Sequence, residues 1–433
     1  MVIVETSEEF KNFARVFNKV DSIVIPIECD FNKHPKDTRL CLLYIKTISK
    51  DSKEYILPFR HSDAVNLETY MIDSLWTPKN VYTYDKKKLL HFFNWKDTYD
   101  VQMNYYLEKN EPLVVDDVLT NAHEYFHRKY YGKPNINCVI PIMKHLEWCR
   151  KVVDILKVAG VIGLKEKQSV YNIYNKDVLE SLQKVESNGL QTVDGMVYSE
   201  YNPYTATGRP SNRFGGLNFA ALNKKDGSRK KFISRYGKEG MLVEMDYDAY
   251  HLRLIADVID YQFPKGSVHQ HMAKLYDVDY NEAKSLSFQY LYGNIPYEVS
   301  QINPFFCKVE SYIEDVWKRY KSMNFIESDI YNKRIYKKNL SDMNKNKVFN
   351  YLIQLMETES NMRMLTELLP KIKGYESKLI LYNYDSFLFD FHLEDGLKFL
   401  KKVKGIIEQK GKFPVKVGKG WNYHEMEDIT ENF

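Results

Sequence analysis

Two aspartates sit in apolar, strand-like runs far apart in the chain. The first run is MLVEMDYDAYHLRLIADV, with Asp246 at the end of a hydrophobic stretch; the second is KLILYNYDSFLFDF, with Asp385 between two strand-like halves. Between them lies YNEAKSLSFQYLYGN, which places Lys284, Phe288 and Tyr292 four residues apart. That spacing stacks side chains on one face of a helix. The fold must therefore accept both runs into sheet and carry helices between them. Two carboxylates able to hold divalent metals, with a lysine and aromatics on a facing helix, match what nucleotidyl transfer needs. The metals stabilise the attacking and leaving oxygens, and the lysine meets the triphosphate.

The 433 residues suffice for two or three domains, and a hydrophobic content of 44% supports sizeable cores. The net charge of +4 does not by itself imply nucleic acid. Its distribution is more informative. Between Thr205 and Arg235 lie Arg209, Arg213, Lys224, Lys225, Arg229, Lys230, Lys231 and Arg235 against one acid, Asp226. Such a block suits a phosphate backbone, although a solvated basic loop has the same composition. The cysteines (Cys29, Cys41, Cys138, Cys149, Cys307) form no CxxC pair, which argues against structural zinc and fits a reducing compartment. MVIVETSEEF lacks a secretory pattern and no apolar run is long enough to span a membrane, so a cytoplasmic protein is expected. Richness in Lys, Asn, Tyr and Ile fits an AT-rich genome, as of a phage or its bacterial host.

Along the chain, SIVIPIE, RLCLLYIKTI and KEYILPF read as strands. Residues 87–130 carry helical periodicity, and 1–145 reads as an α/β layered domain. IMKHLEWCRKVVDILKVAG reads as a helix ended by Gly160, and NKDVLESLQKVESNG as one ended by Gly189 with Asn175 as N-cap. Residues 190–235 look like extended turns. A strand, a helix, a long helical stretch (about 268–365), the hairpin around Asp385, an amphipathic helix and a last strand FPVKVGKGW complete the chain.

The motifs resemble those of the family A DNA polymerases. YTATGRPSNRFGGLNFAAL is similar to that family's TGRLSS block, which implies that Arg209 reads the minor groove near the primer end. Arg229 or Lys231 falls in the basic segment that follows. DYDAYHLR resembles motif A, DYSQIELR. The resemblance implies that Asp246 holds both metals, that the Tyr247 carbonyl adds a ligand, and that His251 stands where the family has the glutamate that excludes ribose. Lys284, Phe288, Tyr292 and Gly293 are in register with motif B, with Tyr280 in place of its leading arginine. SVHQHMAKLY supplies His269 as a phosphate ligand. KVFNYLIQLMETES resembles a helix whose asparagine and glutamine approach the primer–template; Asn350 and Gln354 fall there. In motif C, Tyr384, Asp385 and Ser386 replace HDE, so the aspartate is kept and the glutamate is lost, as in single-subunit phage RNA polymerases.

The amino-terminal part resembles the proofreading exonuclease domain that precedes such polymerases. Its D-x-E becomes Pro26-Ile27-Glu28, a second aspartate would fall near Leu89, and no Y-x-x-x-D spacing occurs. A two-metal exonuclease needs several carboxylates, so an inactive relic is expected, with Asp30, Asp85 and Asp97 as the only substitutes.

The resemblance implies a mixed α+β and α/β multidomain chain. An RNase H-like exonuclease-type domain (1–145) and a short helical thumb (146–199) would precede palm and fingers (200–433, with fingers about 255–345). It further implies primer extension with dNTPs on primer–template DNA, two Mg²⁺ ions (or Mn²⁺), phage replisome proteins as partners, and no proofreading. His251 and Ser386 keep open a single-subunit RNA polymerase or primase-like enzyme. A non-catalytic nucleic-acid-binding scaffold is the third reading.

Overall fold

The computed structural model describes residues 1–31, 33–73, 79–95, 97–115, 135–158, 169–212 and 218–433. Arg213, Gly160 and the helix expected beyond residue 115 lie outside them. The chain is a mixed α/β structure of two compact units, Met1–Gln183 and Lys184–Phe433. This division falls inside the segment expected to form a separate thumb.

The first unit is built on a six-stranded sheet. It comprises β1 (Val2–Ile3), β2 (Asp21–Glu28), β3 (Leu40–Ile48), β4 (Glu54–Pro58), β5 (Val81–Thr83) and β6 (Thr98–Asp100), in the order β1-β4-β3-β2-β5-β6. β2 pairs antiparallel with β3 and parallel with β5. Its near-continuous apolar run fits a strand covered on both faces. α1 (Ser7–Phe17) starts with a capping box, in which Thr6 and Glu9 satisfy each other's backbone donors. Its buried Phe10, Phe13 and Phe17 join the core beneath the sheet. α2 (Lys86–Phe92) and α3 (Val101–Lys109) follow β5 and β6, each with an aspartate N-cap, Asp85 and Asp100. α4 spans Ile142–Val158.

Asn175 is not an N-cap. Helix runs through it as α5 (Ser169–Ile173), one π-helical turn (Tyr174–Val178) and α6 (Leu179–Asn188). Its buried amide donates to the Thr98 carbonyl and accepts from the Asp100 N–H. Burial with both bonds made outweighs the local capping preference. Gly189 ends the helix at φ +59°, a left-handed conformation that glycine adopts freely.

The second unit opens with short strands: β7 (Leu190–Thr192), β8 (Gly195–Val197), β9 (Tyr201–Asn202), β10 (Ser211–Asn212) and β11 (Phe232–Ile233). β12 (Gly240–Tyr247) is then the centre of a five-stranded antiparallel sheet. With β15 (Lys378–Asn383), β16 (Ser386–His392), β17 (Val415–Gly420) and β18 (Glu427–Asp428), the order is β15-β16-β12-β17-β18. Between β12 and β15 run α7 (Tyr250–Val258), α8 (Val268–Tyr276), α9 (Tyr280–Tyr292), α10 (Tyr297–Ile302), α11 (Pro304–Met323) and α12 (Lys345–Ile372). A hairpin of β13 (Phe325–Glu327) and β14 (Arg334–Tyr336) interrupts the helical stretch expected over 268–365. Strands of three residues carry too little alternation to stand out in a sequence. α13 (Gly396–Ile407) packs on α12.

α12 is buried nearly all round in its middle, including two carboxylates, Glu357 and Glu359. Glu359 accepts from the Ser328 hydroxyl at 2.5 Å and the Tyr331 N–H at 2.9 Å, which ties α12 to the β13–β14 loop. Glu357 faces the site described next.

Candidate active site

Strand register brings the two aspartates together. On β12, Asp246 lies opposite Ser386 of β16 on one side and Lys416 of β17 on the other. Asp385 immediately precedes Ser386, and its carbonyl accepts the Tyr247 N–H at 2.9 Å. Cross-strand partners in an antiparallel sheet share a face, so Asp246 and Lys416 emerge together.

Two backbone irregularities flank this pair. Tyr384, in the two-residue turn before β16, has φ +60°, and Ala249, just before α7, has φ +53°. Non-glycine residues rarely adopt this region, and such positions cluster at functional sites. Tyr384 is held on two sides. Asn361 of α12 donates to its carbonyl at 2.7 Å, and the Arg209 guanidinium lies 3.7 Å from its ring centre.

The electrostatics of the pair are unfavourable without a cation. Burial, then the charge of Asp385, then that of Glu244 push Asp246 up to about 7, against the pull of Lys224 and Lys284. Burial and then Glu357 raise Asp385 as well. Two such carboxylates disfavour each other's ionised form. Hard oxygen donors in this state suit a small divalent ion such as Mg²⁺, so the donor set fits the expected metals. Lys224 reaches Asp246 at 3.6 Å from an exposed position.

The motif-B residues share a face on α9. Lys284 is exposed, and its charge acts on both Asp246 and His269. The rings of Phe288 and Tyr292 lie parallel, 6.1 Å apart. His269 packs on Phe288 and Tyr280 at 5.7 and 5.8 Å. It is 2% exposed, and burial lowers its pKa to about 4. His269 is therefore a neutral hydrogen-bonding group at physiological pH, not a cation. The His251 Nδ1 contacts the Tyr292 hydroxyl.

Some expected roles need correction. The Tyr247 ring is buried, stacks 4.2 Å from Tyr250 and donates its hydroxyl to the Ile407 carbonyl. It is core, and only its backbone carbonyl remains available to a metal or nucleotide. Arg229 is 5% exposed. It donates to the Leu222 carbonyl at 3.2 and 3.0 Å and lies over the Tyr423 ring, so it braces the loop and does not present a charge to DNA. Arg235, of the same basic block, is bonded to buried Asp390 at 2.7 Å. Asn350 donates to the Tyr292 carbonyl at 3.1 Å, and Gln354 accepts from the Thr207 hydroxyl at 3.2 Å. Both are half-buried and hold neighbouring elements in place.

Three residues went unrecognised in the sequence. Glu357 is 1% exposed, and its Oε1 accepts from Arg209 Nη2 at 3.2 Å. Its Oε2 lies 3.1 Å from Arg209 Nε and 3.2 Å from His251 Nε2. The two Oε2 contacts are off-axis for hydrogen bonds, so Oε2 meets the Arg209 guanidinium as a charge and the imidazole edge at Nε2 without a linear bond. Burial alone would raise the Glu357 carboxyl; His251 and Arg209 outweigh it and hold the group below the ordinary range. The signal was legible: Asn350, Gln354 and Glu357 are spaced by four and three residues, which is one helix face. Asp248 pairs with Arg253 and Lys416, each at 3.3 Å. Burial would lower the Lys416 ammonium, but Asp248 and then Tyr280 outweigh it and hold the group above its ordinary range. Its place depends on register, which the sequence does not display.

In the first unit, Glu28 is 4% exposed and pairs with Lys88 at 2.5 Å, and Leu89 is fully buried. Among the described residues, no three metal-ligating groups converge wholly within that unit.

No family model and no curated protein matches the chain. Among solved structures, it is similar to the POL domain of Pol1 from M. smegmatis in complex with DNA primer-template and dNTP. The TM-score is 0.71 and the identity 13%, with 98% of this chain and 99% of that chain covered. At that identity the likeness establishes a shared polymerase-domain fold.

Proposed function

We propose that the chain is a template-directed DNA polymerase of the family A type, extending a primer with dNTPs. The observation that carries this reading is the convergence of Asp246 and Asp385 at the end of β12, with Lys284, His269, Phe288 and Tyr292 on the helices beside them. The similar fold occurs in a structure bound to primer-template and dNTP. In this reading the β12, β15, β16 and β17 sheet is the palm, about 255–345 the fingers, 146–199 the thumb, and 1–145 an exonuclease-like domain without excision activity.

Mg²⁺ ions held by Asp246, Asp385 and the Tyr247 carbonyl would supply charge neutralisation at the phosphoryl oxygens and activation of the primer hydroxyl. Lys284, whose charge acts on Asp246, is the residue assigned to meet the triphosphate and to donate a proton to the leaving pyrophosphate. Neutral His269 offers a hydrogen bond to a phosphate oxygen. Phe288 and Tyr292 present parallel ring faces to the base and sugar. Arg209 lies over the turn that presents Asp385, where it can meet the duplex end.

Primer extension tests the proposal directly. Extension with dNTPs and Mg²⁺ on a primed template is expected, with far weaker extension by rNTPs. Efficient rNTP use would move the assignment to an RNA-making enzyme. No extension with either set would leave a binding scaffold.

A further inference from the structure

A fully buried carboxylate that is neither a metal ligand nor a surface group calls for explanation. Taking an ionised carboxyl out of water is unfavourable unless partners compensate. Glu357 has two, and they belong to different parts of the site. Arg209 leads to the Tyr384 turn and Asp385. His251 leads to Tyr292 on α9.

The imidazole sits between two groups with different demands. Ionised Glu357 only accepts, so His251 Nε2 must carry a proton to face it at 3.2 Å. In a neutral ring Nδ1 is then the acceptor, and the Tyr292 hydroxyl donates to it. The tautomer is thus inferred from the partner on α12. A hydroxyl committed to Nδ1 cannot also donate into the cleft, where the sugar of an incoming nucleotide would lie beside the Phe288–Tyr292 face. Replacing the carboxylate by an amide removes this demand: the amide N–H₂ can donate to Nε2, the proton moves to Nδ1, and the tyrosine O–H is released.

We propose that Glu357 is a positioning and specificity-determining residue: through His251 it fixes the direction of the Tyr292 hydroxyl and thereby the discrimination between deoxyribose and ribose. The inference rests on the polymerase reading and deepens it. Glu357 itself touches no substrate.

The test compares kcat/KM for dATP and ATP at one template position. Glu357→Gln is expected to lower the dATP:ATP ratio by about tenfold or more. Tyr292→Phe, which deletes the hydroxyl, is expected to make a further Glu357→Gln change nearly silent on that ratio, since the hydroxyl is the mediator. A merely structural role would lower both substrates together and leave the ratio unchanged; that result would overturn the proposal. So would full additivity in the double variant. A measurement on the unmutated chain covers a Glu357→Gln variant that does not fold. Nitrogen-15 correlation spectra of histidine-labelled protein should show His251 protonated at Nε2 and bare at Nδ1; the opposite tautomer, or an imidazolium protonated at both nitrogens, would refute the mechanism. The spectrum does not depend on catalysis. A protein that fails to extend primers yet shows the expected tautomer would therefore sink the polymerase reading and not the geometry beneath it.

Discussion

Single side chains carry the first expectations. Asp246→Ala and Asp385→Ala should each abolish primer extension while leaving binding of duplex DNA largely intact, because each removes one of the two carboxylates assigned to the cations; gel-based extension and a binding titration read the two effects. Substantial extension by both variants would refute the assignment. His269 offers a pH test. Its folded pKa of about 4 lies below the ordinary 6.5, so the unfolded chain takes up the proton first as pH falls. The stability it contributes is complete above about 6.5 and is lost as pH drops through about 4. Melting curves between these limits should therefore fall more steeply for the unmutated chain than for His269→Gln; parallel curves would reject the burial argument. At this scale the sequence was most legible where chemistry stood out against its surroundings, as at Asp246 and Asp385. It misled at Arg229, because a motif identifies a position and not which atoms of the residue are left free. Glu357 escaped because a charged residue on a helix is ordinarily read as its solvated face.

Helices and strands decide whether those side chains meet. α9 was readable from its four-residue spacing, and the structure stacks Phe288 on Tyr292 as that spacing requires. Lys284→Ala should raise the KM for dNTP and lower kcat/KM by about a hundredfold, the scale of losing one charge-stabilising group; steady-state kinetics on a fixed template checks it, and an unchanged KM would place Lys284 outside the phosphate site. The basic block was legible as charge but not as structure. Arg235 spans from buried Asp390 to the carbonyls of Asn188 and Gly189, at 2.7, 2.9 and 2.8 Å. Arg235→Ala leaves Asp390 without its cation and should destabilise by about 3 kcal/mol, seen as a lowered urea midpoint. A midpoint within error of the unmutated chain would show that the pair is dispensable. The β13–β14 hairpin and the π-helical turn were not foreseeable, since both are set by long-range packing and not by local pattern.

For the whole molecule, the order of strands, helices and hairpin was legible, and the register that joins them was not. The first unit should not excise a mismatched 3′ end with Mg²⁺ or Mn²⁺, because Glu28 is paired with Lys88 and Pro26 and Leu89 stand where the resemblance puts carboxylates; excision that disappears in Glu28→Ala would show otherwise. In the second unit, β15 and β12 differ in how they would tolerate a length change. On the outer strand β15 the pairing shifts between Leu379 and Leu381, so one surplus residue has already been accommodated as a bulge. The central strand β12 is paired without interruption on both sides from Leu242 to Asp246. An in-frame codon added there has no edge to spill over: it would turn Asp246 toward the apolar side of the sheet and bring Met245 into the cleft. Gene variants that lengthen this strand by a single amino acid should therefore be null, whereas the same insertion near Leu379 should be survivable.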